Sequence, residues 1–262
     1  MSHIEKVITE YSEPKILEQK DDIWPEDITN AMDGRHSYSF AFDSLLRRAG
    51  FNCLEDCMQS YENPSWLDMF GGAYALDPDH YSHALGVRLK DIDGKLIDFI
   101  QGNGPLMDIH ASRLNDPARL ATLMKIIDSD KRTVLPMNAF EENSDITDYM
   151  AQRDIKGFDV VTFRPYGGFI NHSPSAETNA NHLYATMYMI NKLYELTSNQ
   201  SGRILISLIY PVNTNKSGES FGSLYKTWID MNIERGIQIE TTMDNRQIMI
   251  TKTSDQPLEL IW

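Results

Sequence analysis

The sequence predicts an α/β fold built on a mostly parallel sheet. Apolar runs of strand length alternate with stretches of helical spacing along most of the chain. Two runs, Phe158 to Phe163 and Arg203 to Tyr210, are nearly continuous and read as strands buried on both faces. After its last helical stretch the chain closes on a hairpin pattern, Ile237 to Glu240 and Gln247 to Thr251 about Asp244-Asn245.

Taken in order, residues 1–35 are polar and charged, interrupted by Pro14 and Pro25, and read as a loosely packed arm with room for one helix. Phe40, Phe42, Leu45 and Leu46 give Ser37 to Arg48 an amphipathic helix ending before Gly50. A second short helix covers Leu54 to Tyr61 and is stopped by Asn63-Pro64. Ser65 to Phe70 is a short apolar strand running into Gly71-Gly72. Asp77-Pro78 opens a helical stretch, with Asp suited to the N-cap and Pro to the first turn. Val87 to Asp91 alternates as a strand, Pro117 to Asp128 is helical, and Thr133 to Met137 is a strand end. A long helix spans Asn179 to Thr197, with Leu183, Met187, Ile190 and Tyr194 at helical spacing on a core-facing stripe. Another helix runs from Ser220 to Glu234 and stops at Gly236. The chain divides into an N-terminal arm and helical extension, 1–60, and an α/β domain, 61–262.

The 262 residues carry 38 acidic and 24 basic side chains, a formal charge of −14. A surface so charged repels phosphate backbones and anionic headgroups, so neither nucleic acid nor a membrane surface is expected as a partner. No window approaches the roughly 20 apolar residues that span a bilayer, and the first residues lack a signal pattern. Cys53 and Cys57, four apart in a helix, lack disulfide geometry and fit a reducing compartment. A cytoplasmic location is the expectation.

In a parallel sheet the ligand crevice lies beyond the carboxyl ends of the strands. Gly71-Gly72 follows the first strand and lets backbone approach a ligand, although an ordinary tight turn would use the same residues. Asp91, 23 residues after Asp68, is placed to accept both hydroxyls of a ribose; Asp91 to Lys95 also reads as a hairpin turn joining Val87–Lys90 to Leu96–Ile100. Asn138 offers donor and acceptor to a purine edge. Phe163-Arg164-Pro165-Tyr166 sets an aromatic ring, a cation and a turn at the tip of a central strand. His80-x-x-His83 would put two imidazoles on one helical face, but no downstream residue is spaced to complete a metal site and none is expected. His172 and His182 flank a loop after the central strand, where His172 and Glu177 are candidate general bases.

On these motifs the chain resembles the class I S-adenosylmethionine-dependent methyltransferases. Leu67-Asp68-Met69-Phe70-Gly71-Gly72-Ala73-Tyr74-Ala75-Leu76 looks like that family's cofactor loop. Asp91 falls where its ribose-binding acid is expected, and Met137-Asn138-Ala139 resembles the turn near its adenine. Phe158-Asp159-Val160-Val161 with Phe163-Arg164-Pro165-Tyr166 resembles its "FDLVxxNPPY" strand and motif, and its last helix and hairpin match Ser220 to Thr251. The resemblance covers roughly residues 60–253 and implies a Rossmann-like methyltransferase sheet. It implies S-adenosylmethionine as cofactor, held by Asp68, Phe70, Gly71, Gly72, Ala73, Asp91, Asn138, Ala139 and Phe163. Tyr166, Arg164 and His172 would form the acceptor and catalytic side, and the N-terminal extension could cap the pocket.

Two departures bear on chemistry. Tyr74 replaces the last glycine of the family's loop, and Phe163-Arg164 replaces the polar residue with which amino-methylating members hold a target nitrogen. They point away from an exocyclic-amine acceptor, and Arg164 suits a carboxylate or phosphate on a small molecule. They also keep open a catalytically inactive binding protein. A nucleotide-dependent oxidoreductase on a Rossmann sheet is the third class, disfavoured by the closing hairpin. A second register exists, in which Asp98 with Gly102 and Gly104 forms the cofactor loop; it leaves one convincing strand before Phe158 where the fold needs two, so Asp68 is preferred.

Overall fold

The structure is a computed structural model that describes residues 42–69, 73, 75–89, 129–137, 144–163, 176–207, 221–242 and 247–260. Two short helices come first, α1 (Asp43–Arg48) and α2 (Leu54–Gln59). Strand β1 (Ser65–Met69), one 3-10 turn (Pro78–His80), β2 (His83–Leu89) and β3 (Arg132–Met137) follow. Helix α3 (Ser144–Gln152), β4 (Val160–Phe163), α4 (Ala176–Leu196) and β5 (Gly202–Ser207) come next. Helix α5 (Phe221–Glu234) precedes the closing pair β6 (Gln238–Thr241) and β7 (Gln247–Lys252).

The strands form one seven-stranded sheet in the order β3-β2-β1-β4-β5-β7-β6. β1 to β5 are mutually parallel, while β7 enters antiparallel to both β5 and β6. This is a Rossmann-like α/β sheet, mostly parallel, with an antiparallel closing hairpin.

Side chains along each strand alternate between two cores, as the pleat requires. Leu67, Met69, Val161, Phe163, Ile204 and Ile206 face α3, α4 and α5. Trp66, Val160 and Leu205 face the other way, onto Phe42, Leu45 and Leu46 of the α1 region and Leu54, Cys57 and Met58 of α2. At six residues α1 is too short to hold alone. It is held by that burial, each large apolar side chain contributing about 1.5–3 kcal/mol, and by Gln247 of β7. The Gln247 Oε1 accepts from the Ser44 hydroxyl at 2.6 Å and the Leu45 N–H at 3.2 Å, satisfying a donor at the helix start.

Three expectations need correction. Asp77-Pro78 opens a single 3-10 turn, not a helix, because the chain is drawn back to the sheet at once. The Ser82 N–H bonds the Pro64 carbonyl at 2.8 Å, and Tyr81 is extended and buried beside Trp66. The next strand begins at His83, four residues earlier than its alternation indicates, and Val87 is bonded to β1 on one side and β3 on the other. No edge of Val87 is left for the hairpin partner proposed above. α3 is an element that sequence reading missed, although Ile146, Tyr149 and Met150 carry its buried face at helical spacing. The Pro117–Asp128 helix lies outside the described residues.

Lys252, 5% exposed, ends β7 beneath the last turn of α4. Its ammonium donates to the carbonyls of Tyr194 (2.8 Å), Thr197 (2.9 Å) and Glu195 (3.4 Å). A cation there satisfies terminal carbonyls and opposes the helix dipole. Burial pushes the ammonium below the usual lysine range. Replacing Lys252 by methionine keeps the apolar stem and strands the carbonyls, so urea denaturation should show a loss of about 2–3 kcal/mol. An unchanged midpoint would show that these carbonyls find other partners.

Candidate functional site

Beside β1 the connections change direction: β2 and β3 lie on one side, β4 and β5 on the other. A ligand crevice in such a sheet lies at this point, beyond the carboxyl ends of the strands. Here those ends are Met69 and Phe163, which are register partners. The first strand in chain order is thus the middle one of the five parallel strands, and it runs directly into Phe70-Gly71-Gly72.

Asp68 lies one residue before the end of β1 and is 1% exposed. Its Oδ2 accepts the backbone N–H of Ala73 at 2.8 Å. The chain therefore leaves β1 at Met69 and has returned to Asp68 by Ala73. Ala73 is fully buried with φ +53°, in the left-handed region that non-glycine residues seldom adopt. The other carboxylate oxygen, Oδ1, accepts the Thr162 hydroxyl at 2.9 Å. Thr162 belongs to β4 and is itself bonded by the Trp66 indole N–H at 2.9 Å. Trp66, Asp68 and Thr162 share a sheet face because Trp66 and Asp68 are two apart and Thr162 is the register partner of Asp68.

Of the expected site residues, the structure describes Asp68, Ala73 and Phe163. Asp68 and Ala73 are joined by the bond above. Phe163 is fully buried in the core of the opposite face, with Leu67 and Val161. Phe70, Gly71, Gly72, Asp91, Asn138, Ala139, Arg164, Tyr166 and His172 lie outside the described residues, as does the alternative loop Asp98–Gly104. Glu177 falls in the first turn of α4 rather than in the loop, and His182 lies further along the same helix, within the stretch expected to be helical. His80 is in the 3-10 turn and His83 in β2, so they do not share a helical face. Burial, with Arg153 and Lys131 nearby, lowers the His83 pKa. Among the described residues no three His, Cys, Asp or Glu side chains converge to hold a metal ion. Both cysteines are free thiols, and burial pushes Cys57 up to about 11 against the opposing effect of Arg203; it is no nucleophile at neutral pH.

Sequence reading passed over Thr162 and Trp66. The available signal was a lone hydroxyl in an apolar strand and a Trp-x-Asp spacing, but only the β1–β4 register brings them together. No helix among the described residues is long and apolar enough to cross a membrane.

No known family model matches the chain, and no curated protein matches it. Solved structures do. An uncharacterized protein of Listeria monocytogenes serotype 4b matches at 10% identity over 79% of this chain and 70% of its own, with a TM-score of 0.32. A protein of Streptococcus mutans assigned as a SAM-dependent methyltransferase matches at 14% identity over 76% of this chain and 47% of its own, TM-score 0.33. The M protein of the type I restriction enzyme EcoKI matches at 12% identity over 76% of this chain and 41% of its own, TM-score 0.35. The chain thus spans less than half the length of the latter two. Likenesses this loose transfer no chemistry, and the strand order above describes the fold without them.

Proposed function

We propose that this chain is an S-adenosylmethionine-dependent methyltransferase acting on a small-molecule acceptor. The observation that carries the reading is the return of the chain after β1, fastened by Asp68 to the Ala73 amide at the switch point. Gly71 and Gly72, just before Ala73, have no Cβ to hold a ligand away from the backbone. In this reading Asp68 and Ala73 shape the loop, with Phe70, Gly71 and Gly72 against the cofactor. Asp91 takes the ribose hydroxyls, Asn138 and Ala139 the purine, and buried Phe163 supports the tip of β4 from beneath. The cofactor supplies a methyl group on a sulfonium centre. The chain's part is to orient the acceptor, exclude water and accept its proton where needed, with Arg164, Tyr166 and His172 on the acceptor side.

Antiparallel β7 between β5 and β6 favours this over a dinucleotide oxidoreductase, whose sheet runs 3-2-1-4-5-6 without that insertion. The charge of −14 and the cation at Arg164 favour a small anionic or neutral acceptor over nucleic acid.

Calorimetric titration with S-adenosylmethionine, its demethylated product, NAD and NADP tests the reading. The first two should bind, and Asp91→Ala should weaken them by about 1.5–3 kcal/mol, the range for hydrogen bonds to a charged group. Binding of NAD or NADP alone would establish the oxidoreductase instead, and no binding of any would leave a non-catalytic domain. With cofactor present, methylation of nucleic acid but of no small carboxylate, phenol or phosphorylated metabolite would overturn the acceptor assignment.

A further inference from the structure

We infer that Thr162, with Trp66 behind it, is a positioning residue that sets the loop after β1 by fixing the carboxylate of Asp68. The effect on ligand binding rests on the function proposed above; the effect on the loop does not. Each step follows from donor and acceptor counts. The Trp66 indole nitrogen can only donate, and it donates to the Thr162 hydroxyl oxygen. That hydroxyl has one proton left to give. Two acceptors are in reach, Asp68 Oδ1 at 2.9 Å and the Leu67 carbonyl at 3.5 Å. The nearer and charged one takes it, in a charge-assisted bond.

The Thr162 side chain is stiff about χ1 and fully buried, so it has little freedom to follow a moving carboxylate. The carboxylate must come to it. With Oδ1 held from β4, Oδ2 is presented to the Ala73 N–H, which it accepts at 2.8 Å. The left-handed turn at Ala73 costs of order 1–2 kcal/mol and persists only where its surroundings over-determine it. The chain Trp66–Thr162–Asp68–Ala73 is that over-determination. It also ties the tip of β4, from which the acceptor-side residues depart, to the loop after β1.

The test pairs a measurement that needs no ligand with one that does. Backbone amide exchange is followed at Ala73 and in the middle of β5, in the unaltered chain, Thr162→Val and Thr162→Ser. Thr162→Val keeps the shape and removes the hydroxyl. The Ala73 amide should exchange about tenfold faster or more, as expected for loss of a hydrogen bond to a charged group, while β5 amides keep their rates. Binding of the demethylated cofactor product should weaken by about the same factor, and Thr162→Ser should restore both. A purely structural role would accelerate β5 as much as Ala73, and that result overturns the inference, as does an unchanged Ala73 rate. If Thr162→Val does not fold, Trp66→Phe removes the indole donor together with part of the buried ring, so the β5 amides again serve as the control for lost packing. That variant should speed Ala73 exchange selectively, and failure to do so overturns the inference equally. A faster Ala73 amide in a chain that binds no cofactor in any form supports the positioning role and removes the proposed function.

Discussion

Replacing Gly157 by alanine should cost about 3 kcal/mol of stability, the upper part of the range for overpacking. A Cβ built on Gly157 would lie 2.6 Å from Ser198 Cα, 2.7 Å from Ser198 N and 2.9 Å from Thr197 C. All three are backbone atoms, so no side chain can rotate aside. The backbone cannot yield cheaply either. Phe158 N–H bonds the Leu196 carbonyl at 2.9 Å, and Ser198 N–H bonds the Phe158 carbonyl at the same distance. Gly202 presses on the same segment from β5, where a Cβ would lie 2.6 Å from the Ser198 carbonyl oxygen. Lys252 holds the Thr197 carbonyl from β7. The ends of α4 and β7 and the starts of β4 and β5 thus converge on Thr197-Ser198. Urea denaturation of Gly157→Ala, Gly202→Ala and the double variant checks this. The double loss should fall short of the sum, because both changes displace one segment. Gly236→Ala is the control. Gly236 has φ +88° and nothing within 4 Å of a built Cβ, so it should lose only the left-handed strain of about 1–2 kcal/mol. If Gly157→Ala costs no more than Gly236→Ala, the contact at Ser198 is softer than described.

The parts of the fold legible in the sequence are those where local pattern and tertiary demand agree. β5 and β4 are apolar runs because both their faces are covered, and α5 ends where Gly236 takes a positive φ. β2 was harder. Its first residues, His83-Ala84-Leu85-Gly86, have poor strand propensity, yet Ala84 and Leu85 are buried in the two opposite cores. Ala84 also lends its carbonyl to the Tyr149 hydroxyl of α3 at 3.3 Å. The helix expected after Asp77-Pro78 failed for the converse reason: good local start signals were overridden by the bond from Ser82 to Pro64 and the burial of Tyr81.

The candidate site was legible as a place and partly as chemistry. The strand before Gly71-Gly72 could be recognised, and so could Asp68 at its end. That Asp68 spends both oxygens inside the protein could not. Its partner Thr162 is 94 residues away, and only the parallel register of β1 with β4 sets the hydroxyl against the carboxylate. A one-residue slip would turn Thr162 to the other face and put an apolar side chain there instead.

Gly72→Val should abolish cofactor binding, whereas Gly102→Val should leave it within about twofold. The first residue follows β1; the second belongs to the competing loop, Asp98–Gly104. Valine at 72 sets a branched, χ1-restricted side chain immediately before the Ala73 amide that Asp68 holds. It fills space that backbone and ligand would share and narrows the conformations open to the loop. A loss of at least about a hundredfold, or about 2.7 kcal/mol, is expected in calorimetric titration with the demethylated cofactor product. The fold should survive, because residue 72 is outside both strands of the switch and the pairs Met69–Phe163 and Met69–Val87 are untouched. Thermal melting of both variants checks this, separating a lost site from a lost domain. Weakening by Gly102→Val with Gly72→Val unaffected would move the cofactor loop to Asp98–Gly104 and void the role given to Asp91. Equal weakening by both, with melting unchanged, would mean that the two segments line one crevice together.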